Sequence, residues 1–84
     1  MRHVDPIPQL KRELAAELVR IMSSYRTTDV LANVRIDQPR VSDLRRGRLE
    51  RISVERLIRW LSQMGYRVEF NLTKVPGHRL ALLD

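Results

Sequence analysis

The stretch Ile36-Asp37-Gln38-Pro39-Arg40-Val41-Ser42-Asp43-Leu44-Arg45-Arg46-Gly47 decides how this chain is read. Asp37 suits a helix N-cap, and Pro39 falls in the first turn, where a missing N–H costs nothing. Val41 and Leu44 lie three apart and face a core, whereas Gln38, Pro39, Ser42, Asp43 and Arg46 fall on the other side. Gly47 sits just past the end, where a left-handed residue closes a helix without steric cost. With so short an apolar stripe, the helix needs neighbours to hold it and has an outer face to spare.

Upstream, Leu10, Leu14, Leu18, Ile21 and Met22 recur at three- and four-residue spacing, with Lys11, Arg12, Glu13 and Glu17 off the stripe. This predicts an amphipathic first helix from about Gln9 to Ser24, preceded by an extended leader over 1–8 that holds Pro6 and Pro8. Thr27 or Thr28 can cap a short second helix with Val30, Leu31 and Val34 inward, ending around Val34 to Ile36. Downstream, Arg48 to Ile52 reads as a loop. Ser53 then caps a fourth helix with Leu57, Ile58, Leu61 and Met64 inward and Gly65 as its stop. Trp60 lies one residue off that stripe and reads as a core-edge or dimer anchor rather than a base-stacking residue.

Beyond Gly65 the period changes from 3.6 to 2. Tyr66, Val68, Phe70 and Leu72 alternate with Arg67, Glu69 and Asn71, the pattern of an amphipathic strand. Val75-Pro76-Gly77-His78 suits a type II turn, and Arg79 to Leu83 reads as either a second strand or a loose tail. A lone strand leaves its backbone unpaired, so it is expected to form a hairpin with 79–83, to pair with its mate in a dimer, or both. The predicted fold is mostly α: a helix-turn-helix bundle of about four helices over 9–65. The strand or hairpin over 66–84 is its dimerisation element.

Composition narrows the function. In 84 residues there is room for one small domain, and the absence of cysteine excludes disulfides, Cys-based zinc fingers and thiol catalysis. The longest apolar runs, such as Leu80-Ala81-Leu82-Leu83, are too short to span a membrane, and Met1 to Pro6 lacks a signal-peptide core. A soluble, cytoplasmic protein is expected. The formal net charge is +6, and only Lys11 and Lys74 among the cations are not arginine. Arginine binds phosphate and guanine edges in two-point geometry, and eight arginines against four acids fall between Arg35 and Arg59. A polyanionic partner follows. His3 and His78 are isolated, no serine lies in a nucleophile motif and no glycine-rich phosphate loop exists, so neither an enzyme nor a metal or cofactor site is expected.

Helix, tight turn, helix from Thr27 to Gly47 is an arrangement that offers an α-helix to a DNA major groove. Ile36 to Leu44 with Gly47 closely resembles the recognition-helix signature of the lambda-repressor-like (XRE-type) helix-turn-helix family. The continuation from Arg48 to Leu57, and on through Met64-Gly65-Tyr66-Arg67-Val68-Glu69, is similar to its branch of small HigA-like antitoxins. The resemblance implies operator binding as a dimer, autorepression of an operon, and neutralisation of a small ribonuclease toxin of the HigB/RelE kind. It also sets Arg35 where the family usually has glycine, which in left-handed geometry costs on the order of 1 kcal/mol. Leu31, or Ala32 if one residue is missing, takes the place of a small mid-helix residue.

Roles follow from side-chain chemistry. Gln38, at the helix start beside Pro39, suits adenine; Arg40 and Arg46 suit guanine. Ser42 and Asp43 lie along the exposed face, where Asp43 accepts from cytosine or orients an arginine. Thr27 and Thr28 can bind phosphate, as can Arg45, Arg48, Arg51 and Ser53. Two other readings remain: a stand-alone regulator without a toxin, and a basic protein-interaction module that never touches DNA.

Overall fold

The fold comes from a computed structural model that describes residues 5–77. Its helices are α1 (Ile7–Met22), α2 (Thr27–Asn33), α3 (Gln38–Arg45) and α4 (Val54–Gln63), and no strand occurs among the described residues.

The first helix begins two residues earlier than expected. Pro6 takes the N-cap position and Pro8 lies within the first turn, where no backbone donor is needed. The Ile7 N–H, another donor without a partner inside the helix, donates to Asp5 Oδ1 at 3.0 Å. The predicted leader over 1–8 is therefore helical in its last two residues; residues 1–4 lie outside the description.

One apolar core joins all four helices. Leu18 and Met22 come from α1, Val30 from α2, Val41 and Leu44 from α3, and Leu57, Trp60 and Leu61 from α4. The long α1 packs on α4 and on α3 and so forms the platform of the bundle. Ile52, expected in a loop, is 1% exposed and pins the α3–α4 connection into the core. Lys11 on α1 adds a second tie, donating from Nζ to the Leu49 carbonyl at 3.1 Å.

The caps set the register of α3 and α4. Asp37 Oδ1 accepts from the Arg40 N–H at 2.9 Å, and Ser53 Oγ from the Arg56 N–H at 3.2 Å. Each such cap stabilises by about 1 kcal/mol. Gly47 closes α3 at φ +71, a conformation that disfavours a side chain. The cap expected from Thr27 or Thr28 does not form: Arg26 is the N-cap of α2, and no side chain bonds there.

The predicted strand is absent. Tyr66 to Val75 is irregular, and from Arg67 onward its backbone makes no backbone hydrogen bond among the described residues. Alternation of apolar and polar residues sets which side chains share a face, but a ladder needs a second backbone to supply its bonds. The expected partner at Arg79 to Leu83 lies outside the described residues.

Candidate nucleic-acid interface

The connection from α2 to α3 determines how α3 is presented. Helix α2 stops at Asn33, and Val34 is extended with φ −116 and ψ 137. The Ile36 N–H then donates to the Val34 carbonyl at 2.8 Å, a three-residue turn centred on Arg35. No residue other than glycine has a positive φ among the described residues. This is therefore the inverse form of the turn, open to any L-residue. The left-handed strain expected of Arg35 does not arise.

Helix α4 clamps that turn. Gln63 Oε1 accepts from the Arg35 N–H at 2.6 Å, and Trp60 Nε1 donates to the Arg35 carbonyl at 3.0 Å. Two side chains one turn apart thus satisfy both backbone polar groups of a single residue. Trp60 is buried, and its N–H needed a partner there. The sequence reads Trp60 as a core-edge or dimer anchor, whereas it lies in the core. The sequence gives no sign of the role of Gln63, since nothing in helical spacing says what an exposed glutamine will accept. Val30 is buried and Leu31 packs against the core, whereas Ala32 is exposed, so Ala32 does not take the mid-helix crossing.

With its foot held, α3 buries Val41 and Leu44 and turns the rest outward. Gln38, Pro39 and Arg46 are exposed; Ser42 and Asp43 are half-buried on the same side. Arg40, expected to reach for guanine, lies 3.9 Å from Asp43 on the next turn of the helix, and its Nε is shielded without a hydrogen-bond partner among the described residues. The pair is loose and contributes little to stability. Arg40, Asp43, Arg48 and Arg51, with Glu50, line one shallow groove beside α3.

On the other flank, Arg45 Nη2 donates to Thr27 Oγ1 at 3.4 Å and brings the end of α3 to the start of α2. Thr28 stands exposed next to it. The Ser53 hydroxyl is already engaged as an acceptor in its capping bond. Arg45, Arg46, Arg48 and Arg51 are all exposed, and none of the four is within ion-pair distance of an acid among the described residues.

The arrangement is a short helix with a polar outer face, shouldered by exposed arginines and braced from behind by a clamped turn. The profile of the helix-turn-helix domain family HTH_37 matches residues 7–73. This chain belongs to that family. No curated protein and no solved structure matches it. The matched range runs from the first residue of α1 to Thr73, so this helix-turn-helix domain takes in the whole bundle and most of the segment after it. Membership indicates a DNA-binding regulator. Among the described residues of the domain, no helix is long and apolar enough to cross a membrane, and no group of three His, Asp or Glu side chains is placed to hold a metal ion.

Proposed function

We propose that this helix-turn-helix domain is a cytoplasmic, sequence-specific repressor that binds a palindromic operator in double-stranded DNA as a homodimer. Helix α3 enters the major groove. Gln38, Ser42, Asp43 and Arg46 read base edges, and Arg40 lies beside the Asp43 carboxylate. Thr27, Thr28, Arg45, Arg48, Arg51 and Ser53 face the phosphates, and Pro39 sets the start of the reading helix. Two copies place their reading helices about 34–36 Å apart, one turn of DNA. The observation that carries this reading is the outer face of α3, where exposed Gln38 and Arg46 flank half-buried Ser42 and Asp43, bordered by Arg45, Arg48 and Arg51, which have no acidic partner among the described residues.

The test is sequence preference. Selection of bound duplexes from a random pool supplies an operator. Gln38→Ala is then expected to lose about 1–3 kcal/mol of discrimination at one base pair in each half-site while leaving the others alone. An unchanged preference across all positions removes α3 from the groove.

The finer reading is that the repressor is the antitoxin of a type II pair and represses its own operon. It rests on the resemblance of Ile36 to Glu69 to the HigA-like branch. It expects copurification with a small ribonuclease toxin encoded beside it; full repression by a chain with no such neighbour makes it a stand-alone regulator.

A further inference from the structure

The segment after α4 carries apolar side chains into solvent. Phe70 is 75% exposed and Leu72 97%, with Tyr66 and Val75 about half exposed; Val68 between them leans on the core. Beside this segment runs a groove lined by Ile58, Ser62, Gly65, Tyr66, Arg67 and Val68. The Tyr66 N–H is bound to the Leu61 carbonyl at 2.9 Å, which fixes where the segment leaves the bundle. From Arg67 to Val75 the backbone makes no backbone bond among the described residues. An apolar segment whose backbone makes no backbone bond among the described residues is a template for another strand.

The charges point to what that strand is. Antiparallel pairing about a two-fold axis through Val68 sets Arg67 opposite the partner's Glu69 and Tyr66 opposite the partner's Phe70. Opposite charges and paired aromatic rings both favour such a ladder. An axis through Phe70 sets Glu69 opposite the partner's Asn71 and Arg67 opposite the partner's Thr73, with no charge match. Parallel pairing in register sets arginine against arginine. Within one chain, Arg67 and Glu69 lie 3.9 Å apart with both side chains more than three-quarters exposed, a contact that contributes little and is easily exchanged.

We propose that a second copy of this chain is the occupant of this surface, joined through residues 66–70 in antiparallel register about Val68. Phe70 of each copy covers the groove between Ile58 and Tyr66 of the other. This deepens the dimer reading above, because it specifies the contact that would hold two α3 helices as a pair, but it does not depend on the DNA target.

The experiment is sedimentation of the full chain without DNA. Arg67→Glu and Glu69→Arg, each alone, turn both cross-strand pairs into like-charge pairs and are expected to weaken self-association on the order of tenfold. Mixing the two variants restores association between unlike copies to near the starting level. Neither variant keeps the in-chain pair, so a structural role for that pair alone predicts no gain on mixing. The chain has no cysteine, so Val68→Cys supplies a single thiol at the axis, expected to oxidise to a covalent dimer faster than Leu72→Cys. A monomeric parent chain, a mixture no tighter than its components, or equal cross-linking at both positions overturns the proposal. Failure here leaves α3 in the groove untouched, and an unchanged preference in Gln38→Ala leaves this dimer standing.

Discussion

Operator affinity is expected to fall on the order of a thousandfold between about 50 and about 200 mM salt. Arg45, Arg48 and Arg51 are exposed and have no acidic partner within ion-pair distance among the described residues. In the proposed dimer, two copies would bring six guanidinium groups to six phosphates. Each neutralised phosphate releases condensed counterions and steepens the log–log salt dependence by about 0.9. Arg45→Ala, present in both copies, is expected to flatten that slope by about two and to weaken all sequences alike, since a phosphate carries no base information. It also removes the 3.4 Å bond to Thr27 Oγ1, so helix content should be followed alongside. Fluorescence anisotropy over a salt series checks both. A shallow slope that Arg45→Ala leaves unchanged would falsify the phosphate assignment and favour a protein-interaction module.

The second large effect concerns a residue remote from the proposed DNA face. Trp60 is 5% exposed and packs in the core, so Trp60→Ala is expected to cost about 3–5 kcal/mol from lost burial and the cavity left behind. In a domain of this size that lowers Tm by more than about 12 °C. Trp60→Phe separates packing from the clamp. It keeps an aromatic ring but removes the Nε1 donor from the Arg35 carbonyl, a bond worth about 1 kcal/mol. Arg35 is exposed, so water can replace part of that bond. The expected signature of Trp60→Phe is a DNA affinity that falls further than the stability does, because α3 starts two residues past the clamped turn. Thermal melts and operator binding on the same preparations check this. Equal losses in both would reduce Trp60 to a core residue.

Much of this architecture was readable from local chemistry. Asp37 and Ser53 cap as their side chains predict, because a cap is a contact over three residues and needs nothing from the rest of the fold. Gly47 and Gly65 adopt positive φ for the same reason. The stripes of Leu14, Leu18, Ile21 and Met22, and of Leu57 and Leu61, found the core because burial on a helix follows its period. Other local readings failed, among them the cap expected from Thr27 or Thr28, whose place Arg26 takes. The leader expected to be extended over 1–8 is helical from Ile7, since the first turn has no donor for Pro8 to remove. The alternation from Tyr66 to Leu72 predicts a strand that does not form, because alternation describes faces rather than backbone partners.

The candidate interface divides in the same way. The sequence alone determined which residues lie outward on α3, since Val41 and Leu44 leave only one face to turn inward and Gln38, Ser42, Asp43 and Arg46 fall opposite. Tertiary structure alone decided how that helix is held. Arg35 and the pair Trp60 and Gln63 are separated by 25 and 28 residues in the chain, and their bonds exist only because α1 and the shared core bring α4 against the turn. Helical period and capping act over one turn of chain. A hydrogen bond between distant segments depends on where packing sets them, and no local pattern encodes that position.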